Sequence, residues 1–168
     1  AVTFYQQEVS IEGGFLWRYS PDLQDREGEG RASSTMAWVQ PPGTPTVGIA
    51  LLEAYARTGQ KYLLDAARRT GKSLVAGQLQ SGGWYYSIEY DKNKRKRYAY
   101  RAAGRRQGRN LTTLDDNTTQ SALRFLMRLD QTLKFQDKAI HGCVEYALRA
   151  LAKAQYPNGA WPQRYSSF

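Results

Sequence analysis

The sequence of 168 residues holds one cysteine, Cys143, and one histidine, His141. A single cysteine excludes an internal disulfide, and a single histidine excludes a His pair and most Cys/His zinc schemes. His141 and Cys143 are two residues apart in a helical pattern, so they do not face each other, and Ser and Cys nucleophiles lack a partner base. His141 therefore reads as a structural residue. No apolar run approaches the roughly 20 residues of a bilayer span. Residues 1–10 lack the cationic start and apolar stretch of a signal peptide, and with no initiator Met the sequence reads as a mature product or a cut piece. Glycine-rich phosphate loops of the P-loop or dinucleotide type are missing too. What is there is the balance of a folded domain, 41% hydrophobic, 12% aromatic and 23% charged, enough for one core over residues 1–168.

The net charge of +9 is local. Nine basic residues (Lys92, Lys94, Arg95, Lys96, Arg97, Arg101, Arg105, Arg106, Arg109) against Asp91 alone lie between positions 91 and 109, and the rest of the chain is close to neutral. Such a segment attracts polyanions, whether nucleic acid, anionic lipid or acidic polysaccharide, or it simply keeps a loop solvated.

A repeat organises the chain. Gln78-Leu79-Gln80-Ser81-Gly82-Gly83-Trp84 and Gln155-Tyr156-Pro157-Asn158-Gly159-Ala160-Trp161 both read Q-x-x-x-G-x-W, and Gly13-Gly14-Phe15-Leu16-Trp17 is a weaker third copy. Each good copy follows two segments with apolar residues at helical spacing. Thr44 and Pro45 open a helix that Gly59 stops, and a return helix runs over about 61–79. Thr113 with Asp116 resembles a capping box opening a third helix, and a fourth covers about 136–154. Alternation over 84–90 and 97–101, around the charged turn 91–96, predicts an inserted basic β-hairpin over 84–101. Residues 20–42 read as a long loop closing on Pro41-Pro42-Gly43. The expected fold class is all-α, helical hairpins of an incomplete (α/α) toroid with a small inserted β-hairpin.

Three groups of residues can carry chemistry. Trp84 and Trp161 either plug the gap between helices or stack on sugar rings, and Tyr85, Tyr86, Tyr90, Tyr98 and Tyr100 beside the basic turn have the composition for the second role. Asp115, Asp116 and Asn117 put two carboxylates and an amide within one turn, a density of oxygen that suits calcium or magnesium, or plain capping of a helix. As an acid/base dyad the two acids fit poorly, since neighbouring helical residues point about 100° apart. Lys94, Arg95, Arg97 and Arg101 of the basic segment, with Arg164 after the second repeat, are candidates to hold an anionic substrate together with the tryptophans.

Thr-Leu-Asp-Asp-Asn-Thr-Thr at 113–119 followed by Arg124-Phe125-Leu126, together with Gln-Tyr-Pro-Asn-Gly-Ala-Trp-Pro-Gln at 155–163, resembles the family 10 pectate lyases, pectic acid lyases with a short (α/α) toroid. The second motif is the more specific; the family pattern is close to Q-Y-P-N-G-G-W-P-Q, and Ala160 is the departure. The resemblance covers about 111–165. It implies cleavage of polygalacturonate by anti β-elimination, with calcium neutralising the uronate carboxylate and an arginine removing the proton at C5. On the motif, Asp115 matches the calcium-binding acid, Asp116 stands where the family often has Asn, and Asn117 comes one residue late. The family's arginine base lies well downstream of Trp161, so this chain is expected to lack it. The partner implied is an acidic polysaccharide, with no membrane, and the setting secreted or periplasmic. The alternative is a noncatalytic helical-repeat module for acidic polysaccharide. Nucleic-acid binding through 92–109 ranks below it, for want of a recognised motif, and so does terpenoid cyclisation, since Q-x-x-x-G-x-W also looks like the squalene cyclase repeat but the acidic protonating cluster is missing.

Overall fold

The computed structural model describes residues 1–104 and 106–167; Arg105 of the basic segment lies outside the described residues. The chain opens with a single turn, α1 (Val2–Phe4), that runs on as a π-helical turn over Tyr5–Val9. Two short antiparallel strands, β1 (Arg18–Tyr19) and β2 (Arg26–Glu27), and a third, β3 (Met36–Trp38), break up what the sequence presents as one long loop. The helical body follows. It consists of α2 (Thr44–Thr58) with α3 (Lys61–Gly77), and α4 (Thr118–Thr132) with α5 (Lys138–Lys153). Between the hairpins lie β4 (Ser87–Glu89) and β5 (Thr112–Thr113), and β6 (Arg164–Tyr165) closes the described chain.

Local chemistry sets the helix ends. Pro45 sits in the first turn of α2, where its missing N–H costs nothing, and Gly59 (φ 68°) takes the left-handed C-cap. Thr44 does not cap. Its hydroxyl accepts from Phe15 N–H at 2.9 Å and donates to Phe15 C=O at 3.0 Å, tying the N-terminal segment to the body. The Asp137 carboxylate caps α5 by accepting from Ala139 and Ile140 N–H. The expected start of the third helix at Thr113 is corrected: Thr112–Thr113 is spent on pairing with Arg164–Tyr165, and left-handed Asp116 (φ 48°) and Asn117 (φ 59°) hold the helix off until Thr118.

The two copies of the repeat are the same turn bond for bond. Gln78 Nε2 donates to Gly82 C=O at 2.9 Å and Gln155 Nε2 to Gly159 C=O at 2.7 Å. Trp84 Nε1 donates to Leu74 C=O, and Trp161 Nε1 to Leu151 C=O, both at 2.8 Å. The invariant glycine of each copy has positive φ (Gly82 99°, Gly159 85°), which a side chain would strain. The surroundings differ. Trp84 is wholly buried in the hydrophobic core, whereas Trp161 is 46% exposed. At Gly48 a Cβ would run into the Phe125 ring, so the missing side chain is what lets α2 approach α4.

The β-hairpin expected over 84–101 is present only as one strand, and its partner lies elsewhere. β4 pairs antiparallel with β3, Met36 opposite Glu89 and Trp38 opposite Ser87. Residues Lys94–Arg97 form a 3-10 turn, and Tyr98 and Tyr100 make isolated bridges to Arg109 and Leu79. The alternation at 97–101 reflects aromatic packing: Tyr98 and Tyr100 stack at 5.2 Å.

Candidate functional site

The short β5–β6 pairing brings the two motifs of the C-terminal half together. Thr113 lies opposite Arg164, and Leu114 N–H donates to Gln163 C=O at 2.8 Å, so that Asp115 sits beside Trp161-Pro162-Gln163-Arg164. The result is a cleft of about 480 Å³ with an apolar wall of Leu114, Leu151, Trp161 and Pro162 and a polar wall of Asp115, Asp116, Gln120 and Gln163.

Asp115 is held from several sides. Tyr86 Oη donates to its Oδ2 at 2.9 Å, and Arg164 reaches the same oxygen at 3.5 Å while donating to Tyr86 Oη at 2.8 Å. Asp116 N–H donates to Oδ1 at 3.2 Å. Hydrogen bonds from Gln163 and Tyr86, aided by the Asp116 N–H and the Arg164 charge, hold the Asp115 carboxyl below the usual carboxylate range against a smaller opposing push from desolvation. The bond and charge of Tyr86, with Asp115 nearby, push the Arg164 guanidinium further from deprotonation. Arg164 is thus a fixed cation, suited to bind an anion and unsuited to accept a proton.

Asp116 is positioned from the far end of the chain. Gln40 Nε2 donates to its Oδ2 at 3.0 Å; Gln40 Oε1 accepts from Trp38 Nε1 at 3.1 Å, and Gln40 C=O accepts from Trp17 Nε1 at 2.8 Å. Asn117 faces away. Its Oδ1 accepts from Arg124, and it lines a separate groove with Pro41, Pro45, Thr46, Ile49, Ser121 and Arg128. The consecutive left-handed residues turn the chain so sharply that Asp116 and Asn117 serve opposite sides.

Calcium takes six to eight oxygens. The three donors expected to ligate it are taken up by different partners, Asp115 by Tyr86 and Arg164, Asp116 by Gln40, and Asn117 by Arg124. Among the described residues no three His, Cys, Asp or Glu side chains gather as a metal site. The residues present do not fit a calcium site built by this chain alone.

Of the expected substrate-binding residues, Trp161 lines the cleft and Arg164 stands beside it, 3.5 Å from the Asp115 carboxylate. Trp84 is corrected: with no exposed surface it is a core residue. Arg101 lies over the Tyr146 ring at 4.3 Å and donates to Gln78 Oε1, and Arg95 lies over Tyr100 at 5.4 Å, so both serve the packing of the insert. Lys94 and Arg97 are exposed on the 3-10 turn and line neither the cleft nor the groove. His141 Nδ1 lies 2.8 Å from Asp130 Oδ2, away from the cleft. Gln40 was not singled out by sequence reasoning, because nothing local marks a contact across 76 positions.

The model of the pectic acid lyases matches residues 78–167, a span that includes both tryptophan turns, Asp115, Asp116 and Arg164. The chain belongs to the pectic acid lyase family. The fold of this pectic acid lyase chain is also that of a family 10 polysaccharide lyase from Cellvibrio cellulosa, with a TM-score of 0.63 at 21% identity. A mutant of the Cellvibrio cellulosa enzyme in complex with trigalacturonic acid gives 0.61 at 20% identity. Both alignments cover 98% of this chain and 49% of the neighbour, so the chain spans about half the length of these structures. No curated protein sequence matches it.

Proposed function

We propose that the chain is part of a polysaccharide lyase acting on polygalacturonate by anti β-elimination, and that its share of the site is to bind and orient the polyuronate. The observation that carries the reading is the cleft lined by Asp115 and Trp161, with Arg164 reaching the Asp115 carboxylate at 3.5 Å, all within the stretch that matches the pectic acid lyases. Support also comes from the neighbouring lyase structure holding trigalacturonic acid. In this reading a sugar ring lies on the exposed face of Trp161, and a uronate carboxylate meets the Arg164 guanidinium, which stays charged beside Tyr86. Neutralising that carboxylate acidifies the C5 proton. Elimination then breaks C5–H and C4–O, forms the C4–C5 double bond, sends the proton to a base and releases the glycosyl oxygen. Arg164, held in its cationic form, is not that base.

Calcium is the cofactor that the family resemblance implies, and its part in this reading is decided by the same titration. The substrate is extracellular pectate, which supports a secreted or periplasmic setting; among the described residues no helix is long and apolar enough to cross a membrane. The test is a fluorescence titration of the chain with polygalacturonate, with calcium and with chelator, using DNA at matched charge and salt as competitor, while ultraviolet absorbance reports unsaturated product. Binding that DNA does not displace is expected, and displacement by DNA would sink the pectate reading in favour of a nonspecific basic surface. Binding without product assigns the chain to noncatalytic recognition of acidic polysaccharide.

A further inference from the structure

The hairpin of α4 and α5 packs one side against α2 and α3, and its exposed side carries a groove of about 540 Å³ that shares no lining residue with the Trp161 cleft. Met127, Phe135 and Leu148 line it and are 43%, 57% and 38% exposed, which gathers three of the large exposed apolar side chains on one face. Charge flanks this apolar stripe, with Arg124 and Arg128 on α4 and Glu145 on α5. None of the three is well paired. Arg124 meets the neutral Asn117 Oδ1, Arg128 meets Glu53 at 3.6 Å with both side chains half-exposed, and Glu145 forms no ion pair among the described residues. The contact between His141 Nδ1 and Asp130 Oδ2 sets the register of the antiparallel hairpin, so that residues before 130 are level with residues after 141. Glu145 is then level with Leu126, midway between Arg124 and Arg128 and about 3 Å from each along the axis at the helical rise.

We propose that this face is the contact between two copies of the chain, related by a twofold axis that runs along the helices. Such an axis lays α4 of each copy on α5 of the other and makes a four-helix arrangement. It puts Glu145 of the partner subunit between Arg124 and Arg128, forms the same contact a second time on the other side of the axis, and removes Met127 and Leu148 of both copies from water. A twofold across the helices would instead set α4 against α4 and arginine against arginine, so the charges select the axis as well as the face. A second copy is the occupant that fits, because the face carries both members of the ion pairs it would make and is therefore complementary to itself. The proposal does not depend on the pectate reading of the cleft.

The test is sedimentation equilibrium of the chain over a concentration series, with circular dichroism to verify folding. Wild type is expected to approach twice the 19.1 kDa of the single chain. Glu145→Arg, a change at an exposed side chain, sets arginine against arginine across the contact, and Leu148→Asp puts a charge into its apolar stripe; each is expected to weaken the dimer at least about tenfold. The double variant Arg124→Glu/Arg128→Glu is expected to be monomeric alone and to form a mixed dimer with Glu145→Arg, because in the mixture each acidic helix meets a basic one. Should the double variant fail to fold, Glu145→Arg and Leu148→Asp still decide. A wild type that stays at 19.1 kDa throughout, larger open assemblies, or a dimer that Glu145→Arg and Leu148→Asp leave intact would overturn the proposal, and a mixture of folded variants that remains monomeric would overturn the axis along the helices.

Discussion

Two tryptophans make the same hydrogen bond in the same turn, and the structure predicts that they contribute very differently to stability. Trp84 is buried completely, so Trp84→Ala loses its packing and leaves the Leu74 carbonyl without its indole donor. Truncating a fully buried aromatic costs about 3–5 kcal/mol. Trp161 keeps 46% of its surface in water, so roughly half of the transfer contribution is at stake, and water can replace its bond to Leu151. Trp161→Ala should therefore cost about 1–2 kcal/mol. Set against a total stability on the order of 5–15 kcal/mol, the first variant should be close to the threshold of folding and the second well above it. Urea unfolding followed by far-ultraviolet circular dichroism, which does not depend on the tryptophan removed, reads the difference. With a slope of about 2 kcal/mol per molar urea, the midpoint should fall by about 2 M for Trp84→Ala and by less than about 1 M for Trp161→Ala. Binding should show the opposite order: Trp161→Ala loses oligogalacturonate affinity and the conservative Trp84→Phe keeps it. Equal losses of stability from the two alanine variants would refute the argument, since Trp161 would then be covered as deeply as Trp84.

Two further outcomes follow from contacts distant from the cleft. The hydrogen bond to Asp130 raises the His141 imidazole above its ordinary value against a weaker effect of burial. Its stabilisation is therefore complete below about pH 6.5 and is lost as the pH rises through the raised folded value; the urea midpoint of the wild type should fall over that alkaline window, and a parallel fall in His141→Gln would show the dependence to lie elsewhere. In Gly28→Ala the new Cβ would overlap the Trp38 indole, displacing the donor that holds Gln40 and with it Asp116. Polygalacturonate affinity should drop although residue 28 is remote from the cleft, and unchanged affinity would show that Asp116 needs no such support.

The helices and the repeat were legible in the sequence because their causes are local. Apolar spacing, Pro45 and Gly59 mark α2 within a residue or two, and Q-x-x-x-G-x-W encodes a turn whose hydrogen bonds lie within eleven consecutive residues. The insert was misread because alternation of Tyr98, Ala99 and Tyr100 is common to a strand and to a stack of rings. β4 finds its partner fifty residues upstream, in β3, and no short-range pattern reveals that. At the site, the motif pair was readable and so was Asp115, but the divergence of Asp116 and Asn117 depends on two left-handed backbone conformations in succession, which ordinary propensities do not anticipate. Two of the basic residues, Arg95 and Arg101, are placed differently from expectation for another reason. Charge in a sequence says how many cations there are, and only the fold shows that Arg95 and Arg101 are laid over tyrosine rings.

The bond from Gln40 to Asp116 bears on how much of this chain the site needs. The match to the family model starts at residue 78, yet the tryptophan six residues later is seated on the Leu74 carbonyl, Phe125 fills the space left at Gly48, and one acid of the cleft is steered by a glutamine at position 40. A chain trimmed to the recognisable motif would keep every signature residue and lose the packing that gives them their positions. In this chain the segment before residue 78 contributes a carbonyl, a gap and an amide at three points that the motif residues depend on.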